Sequence, residues 1–196
     1  MTRASIALLF TFRVSASGGL AQEQENFSIE DILSPGFPSN LVSARHSDRI
    51  AWIENERGMR NVYTAVPPDY DPVRLTGYLE DDGIDLTSLQ ISDDGEIVTF
   101  IRGHAPNREG WVANPTSNPR GGERVVWGMG TGGGNPWRVV AMQDYELSPD
   151  GRWVLYVESG QIYRAPVNSG LRAAEEGGAP FIRSEEHTSE LQSRTN

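Results

Sequence analysis

Short apolar runs rich in β-branched and aromatic residues alternate along this chain with polar stretches rich in Gly, Pro, Asp and Asn. Three of these runs share one phrase. Its clearest copy is Leu147-Ser148-Pro149-Asp150-Gly151-Arg152-Trp153-Val154-Leu155-Tyr156. A second copy reads Gln90-Ile91-Ser92-Asp93-Asp94-Gly95-Glu96-Ile97-Val98-Thr99-Phe100, and a degenerate one Ala44-Arg45-His46-Ser47-Asp48-Arg49-Ile50-Ala51-Trp52-Ile53. Each predicts the end of one strand, a tight turn of the Asp-Gly type, and a second strand. The closing aromatics Trp52, Phe100 and Tyr156 lie 48 and 56 residues apart. A repeat of that size predicts the blades of a β-propeller.

The elements follow from this repeat. Phe27 to Leu33 predicts one helical turn, with Ser28 as N-cap and Asp31 at the capping-box position, ended by Ser34-Pro35-Gly36-Phe37-Pro38. The first blade takes Leu41–Ala44 as its inner strand, then Arg49–Glu54, the hairpin Glu56–Arg60, and Asn61–Ala65. The connector Pro67–Pro72 excludes strand, and Val73–Thr76 is a short outer strand. The second blade opens at Glu80-Asp81-Asp82-Gly83 and uses Leu86–Ile91 and Ile97–Arg102. An insertion from Gly103 to Gly122, with Trp111 inside it, precedes the return at Glu123–Trp127. A glycine-rich hairpin loop is expected from Gly128 to Asn135, then Trp137–Val140. The third blade runs from Tyr145 through Trp153–Glu158, a turn at Gly160, and Gln161–Ala165, closing at Phe181–Ile182. The fold class is therefore all-β, a partial propeller of about three four-stranded blades with Ser-Pro-Asp-Gly repeats. Closed propellers have about four to eight blades, so three are expected to leave two blade faces open.

Composition sharpens this picture. The 196 residues include 21 Gly and 12 Pro with 37% hydrophobic residues, which suits a turn-rich β protein. There is no Cys, hence no disulfide and no thiolate metal site. All 17 basic residues are Arg, a bias of base composition rather than of nucleic-acid binding. The net charge of −10 argues against nucleic acid and anionic membrane surfaces as partners.

The two ends read differently from the middle. Arg3, the apolar run Ala4–Phe12 and the small residues Gly19-Leu20-Ala21 predict a signal peptide over 1–21, cleaved before Gln22. Without Arg3 and Arg13 the net charge becomes −12. The expected organisation is signal peptide 1–21, leader 22–40, partial propeller 41–182 and a tail 183–196. The expected location is the periplasm or the medium. In the tail, Arg183–Ser193 resembles a translated short-read sequencing adapter, so native sequence is expected to stop near Ile182. His187 accordingly enters no site, and a chimeric assembly is a further reading of the chain.

The candidate chemistry is sparse. No Gly-x-Ser-x-Gly occurs, so no nucleophile elbow is present. His46 and His104 read as loop histidines with no local Ser and carboxylate. No His-x-x-His or Glu-x-x-His spacing suggests a metal. Gly128–Gly134 lacks the Lys-Ser/Thr of a phosphate loop and runs into Pro136-Trp137. The acidic runs Glu80–Asp85 and Ser92–Gly95 lack calcium-loop spacing and read as turn chemistry, with a rim for a peptide's amine end as the minor alternative. Trp52, Phe100, Trp127, Trp153 and Tyr156 read as inter-blade core. No catalytic, cofactor-binding or metal-binding residue is assigned, and no cofactor.

Several runs together resemble a known family. Ile50–Tyr63 resembles the first blade of bacterial prolyl oligopeptidase family serine peptidases. Arg74–Tyr78, Asp81–Leu86, Asn114–Pro119 and Gly160–Tyr163 continue the resemblance, which covers roughly Ile32 to Ile182. It implies an N-terminal propeller that restricts entry to short peptides, over an α/β-hydrolase domain carrying a Ser-Asp-His triad. None of the triad has a counterpart here. The first blade lacks the full Pro-Asp-Gly turn, and the glycine-rich loop is longer than the family leads one to expect. The implied function is the substrate-gating portion of an exported peptidase acting on short peptides through its hydrolase domain. The alternative is a TolB-like periplasmic propeller that scaffolds other proteins without catalysis, and the chain alone is expected to be aggregation-prone or partly unfolded.

Overall fold

A computed structural model describes residues 28–168 and 179–182. The predicted signal peptide 1–21, residues 22–27 of the leader and the adapter-like run Arg183–Ser193 lie outside the described residues. One short helix, α1 (Ile29–Leu33), precedes the strands. Ser28 and Asp31 close the expected capping box around its start. Hydrogen bonds from the backbone and side chain of Ser28 hold the Asp31 carboxyl below its usual range.

Among the described residues twelve strands form three four-stranded antiparallel sheets, each ordered as the chain runs. The first holds β1 (Phe37–Ser43), β2 (Ile50–Glu56), β3 (Met59–Ala65) and β4 (Val73–Arg74). The second holds β5 (Leu86–Ile91), β6 (Ile97–Arg102), β7 (Val125–Gly130) and β8 (Trp137–Val140). The third holds β9 (Glu146–Leu147), β10 (Trp153–Glu158), β11 (Gln161–Pro166) and β12 (Ala179–Ile182). The first strands β1, β5 and β9 are neighbours, β5 touching both of the others. These are the three blades of a partial, unclosed propeller.

Two apolar clusters bind the blades. Ala51, Ile53 and Val62 of the first blade pack with Leu89, Val98, Phe100 and Met129 of the second. Ile101, Val126 and Val140 of the second pack with Tyr145, Val154, Tyr156 and Ala165 of the third. The even and odd residues of β6 therefore face opposite neighbours, as strand alternation requires. The middle blade is buried on both faces, whereas β2 and β10 each bury one face and leave the other open.

The repeated phrase is built identically in the second and third blades. Ser92 and Ser148 each donate a 2.6 Å hydrogen bond to Asp94 and Asp150. Each serine oxygen accepts from the backbone five residues on, Ile97 or Trp153, at 3.0 and 2.9 Å. Each Asp accepts from the next-but-one backbone N–H, Glu96 or Arg152. These contacts, the serine hydroxyl first, hold both Asp carboxyls below their usual range. Gly95 and Gly151 sit at φ 79° and 68°, a conformation costly for residues with a Cβ. The degenerate first copy keeps only the backbone closure, Ala44 N–H to the Arg49 carbonyl at 2.9 Å. The turns also join one another, since His46 N–H donates to Asp93 and Asp93 N–H to Pro149.

The aromatics correct one expectation. Trp52, Phe100 and Tyr156 stand opposite Tyr63, Trp127 and Tyr163 in their cross-strand registers. Phe100 and Tyr156 are core residues, at 0% and 3% exposure. Trp52, Trp127 and Trp153 are only half-buried. Trp127 nonetheless packs against the cluster between the first two blades, with the Arg138 guanidinium over its ring; Trp153 lies under the guanidinium of Arg164, and Trp52 stacks on Tyr63 on the open face of the first blade. Two strands also run beyond expectation. β1 begins at Phe37 rather than Leu41, tolerating Pro38 because it is an edge strand. β7 continues through Gly128 and Gly130, so the glycine-rich stretch is partly strand. The Trp137 indole lies across Gly128, where an added Cβ would come within 2.7 Å of its Nε1. That indole then donates to the Val167 carbonyl at 2.6 Å.

Candidate functional site on the rim between the first two blades

At the end of the blades opposite the Ser-Asp-Gly turns, three distant segments meet. These are the β2–β3 hairpin, the acidic run before β5, and the insertion that leaves β6. Pairing of Leu86 with Arg102 brings Asp85 beside Gly103, whose N–H donates to the Asp85 carbonyl at 2.9 Å. His104 is then clamped, its Nδ1 2.9 Å from Asp85 Oδ2 and its Nε2 2.7 Å from the Gly83 carbonyl. Arg60 of β3 reaches Asp81 at 3.5 Å and Asp85 at 3.7 Å. Arg102 pairs with Asp82 and lies 4.5 Å over the Tyr78 ring. Burial pushes the Tyr78 phenol up, against the pull of that guanidinium.

Hydrogen bonding anchors the rim to the core. Asn61, 4% exposed, donates to the Tyr78 carbonyl at 2.8 Å and accepts from Tyr78 N–H and the Thr76 hydroxyl at 2.9 Å each. Thr76 in turn accepts from Val62 N–H at 2.9 Å. A buried amide with these partners fixes the chain leading to the acidic run.

The insertion is ordered by its own asparagines. Asn107 accepts from Trp111 N–H at 2.8 Å, and Asn114 and Asn118 bond each other twice at 2.9 Å. Arg124 donates to the Gly103 and Gln143 carbonyls, tying the exit of the loop to its entrance. Pro115 sits over Gly83, where a Cβ would lie 3.1 Å away. Between insertion and blade lies a pocket of about 190 Å³ lined by Ile84, Arg102, His104, Asn114, Pro115 and Trp127. Trp111 projects outward, 75% exposed.

This arrangement does not perform acid–base chemistry by itself. Both ring nitrogens of His104 are engaged, leaving none to activate a nucleophile. His46 is exposed in the turn of the first blade and far in the fold from this rim, at the opposite end of the sheets. The two acidic runs separate in character. Ser92–Gly95 is turn chemistry, apart from Asp93, whose carboxylate lies 3.8 Å from the exposed Arg45 guanidinium. Asp81 and Asp82 cap their own turn through Gly83 N–H and Ile84 N–H, but they also meet Arg60 and Arg102. That ion-pair network was not expected from turn chemistry, and it matches the carboxylates of the rim with cations from two blades. Among the described residues no group of His, Asp and Glu has metal-binding geometry. No described helix is long and apolar enough to cross a membrane.

No family model matches the chain, and no curated protein matches it. Among solved structures, the chain is similar to one from a study of two prolyl endopeptidases and their inter-domain dynamics in catalysis and specificity. The identity is 12% and the TM-score 0.49, over 76% of this chain but only 22% of that one.

Proposed function

We infer that this chain is the propeller portion of an exported serine peptidase, whose blades restrict short peptides on their way to a separate hydrolase domain. One observation carries the reading. Arg60, the run Asp81–Leu86 and the run Asn114–Pro119 all belong to segments that resemble the family, and they converge on one rim. The insertion there is built as an ordered flap with an exposed Trp111, the form expected of a loop that shapes an entrance. Export is supported by the apolar run Ala4–Phe12. In this reading His104, Asp85 and Arg60 hold the flap, and the bond-breaking groups lie on the hydrolase domain.

The test begins with the native gene read through the codon for Ile182. The reading expects further blades, then a Gly-x-Ser-x-Gly with later Asp and His. The full product is assayed on a short chromogenic peptide and on a long unstructured one, with and without residues 105–121 replaced by a short Gly-Ser turn. Loss of the flap raises cleavage of the long peptide relative to the short one. A frame that ends after blades with no nucleophile elbow sinks the enzyme reading and leaves a binding scaffold. An unchanged ratio removes the flap from gating.

A further inference from the structure

His104 stands at the entrance of the insertion, and both of its ring nitrogens face oxygens that can only accept a hydrogen bond. Nδ1 lies 2.9 Å from the Asp85 carboxylate, and Nε2 lies 2.7 Å from the Gly83 carbonyl. A neutral imidazole carries one N–H, so it satisfies one of these oxygens and turns a lone pair on the other. Both contacts are made together only when the pair holds one further proton, which makes the ring an imidazolium with two donors. Neither acceptor turns away freely. The Gly83 carbonyl belongs to a turn whose N–H is held by Asp81 at 3.1 Å, and Pro115 packs over the same glycine. The other oxygen of Asp85 faces Arg60 at 3.7 Å.

The insertion has few other ties to the blades. Among the described residues, every hydrogen bond made by residues 105–122 stays within the insertion. Its base is held by His104, by Gly103 N–H on the Asp85 carbonyl, and by Arg124 on the Gly103 and Gln143 carbonyls. The charged groups around the ring are Asp81, Asp82 and Asp85 of the acidic run, Arg60 of β3, Arg102 of β6, and Glu123 and Arg124 at the exit of the loop. Among side chains of these types, only histidine ordinarily changes charge between pH 5 and 8.

We propose that His104 is a proton-operated latch, whose imidazolium pins the insertion to the acidic run and whose neutral form releases it. Losing the proton removes one of the two contacts, so closure weakens as pH rises. The step is an acid–base equilibrium with water and needs no other partner. The inference concerns the loop alone, and it stands whether or not the loop screens peptides.

Trypsin nicking after Arg108 and Arg120 tests it, read by mass spectrometry on the full product of the gene. Both arginines are exposed in the insertion. Where opening and closing are fast, nicking tracks the open population. The parent is compared with His104→Gln at each pH, so the protease's own pH dependence cancels. The glutamine stands for the neutral ring. At pH 6 the variant is expected to be nicked about tenfold faster, for the loss of one charge-assisted hydrogen bond, and by pH 8.5 the ratio falls to near one. Asp85→Asn is the second variant. Its amide donates to a neutral ring, so it keeps the loop closed at pH 8.5, where the parent has opened. Nicking throughout the chain marks a variant that fails to fold, and the other variant then decides. A ratio near one at pH 6 overturns the proposal. So does a ratio that stays constant with pH, or an Asp85→Asn loop that opens as the parent does.

Discussion

Replacing Phe100 by alanine removes the largest fully buried side chain among the described residues, from the second strand of the middle blade. Truncations of this kind in packed cores cost about 3–5 kcal/mol, the lost transfer energy plus the cavity left behind. For a chain of this size each kcal/mol lowers Tm by roughly 2–4 °C, so the expected fall is roughly 6–20 °C. Trp52→Ala is the informative control, because it occupies the same place in the repeat. It loses the stack on Tyr63 at 5.8 Å and the hydrogen bond to Glu54 at 2.7 Å. Its ring is half-buried, with no blade beyond it among the described residues. The stack and the partial burial together come to about 1–2 kcal/mol, or roughly 2–8 °C. Melts followed by circular dichroism at a concentration where the chain is monomeric measure both, and Phe100→Leu supplies a milder variant if alanine abolishes folding. Equal losses at Trp52 and Phe100 would refute the reasoning, because they would mean that the Trp52 face is already covered within one chain.

Two further outcomes follow from the hydrogen-bond networks. Asp94 and Asp150 have folded pKa values below their unfolded ones, so their stabilisation is complete above the unfolded value of about 3.9 and disappears as pH falls through the folded values. Tm measured from pH 6 down to pH 2.5 is therefore expected to drop at the acid end, and Asp94→Asn with Asp150→Asn to lower Tm at pH 6 and flatten that drop; an unchanged acid limb in the double variant contradicts the assignment. Asn61→Ala leaves the Tyr78 carbonyl, Tyr78 N–H and the Thr76 hydroxyl without their buried partner, which is expected to cost about 1–3 kcal/mol in urea unfolding. A loss within error of zero there would show that water replaces the amide.

Much of the fold was legible because the information is local. A Ser, an Asp and a Gly at fixed offsets satisfy their own turn, and the same bonds recur at Ser92 and Ser148. Strands β5, β6, β8 and β10 lie where the alternation of apolar runs and turns puts them. The misplacements have a different origin. Whether Trp52 is core depends on a neighbouring blade, which its own strand cannot announce. The bulges of β1 and β5, with Asn40 and Ser88 both at φ 52°, were also invisible, since a single Asn or Ser inside an apolar run does not tell a bulge from an uninterrupted strand. They sit 48 residues apart, the spacing of Trp52 and Phe100, so alignment of the two blades identifies one from the other.

The rim shows where sequence reading reaches and stops. Once Leu86–Ile91 is paired with Ile97–Arg102 as a hairpin, Asp85 and His104 flank the same end of it, and their contact follows without any motif. Arg60 is different. It comes from another blade, and its approach to Asp81 and Asp85 depends on how two sheets are stacked and twisted. That stacking is set by the apolar faces around Ala51, Val98 and Phe100, which have no chemistry of their own. A cluster of opposite charges on a rim is therefore determined by the packing beneath it. For this reason the rim is better regarded as a product of blade order than as a motif. A site of this kind is found by stacking the repeats first and asking afterwards which side chains meet at their ends.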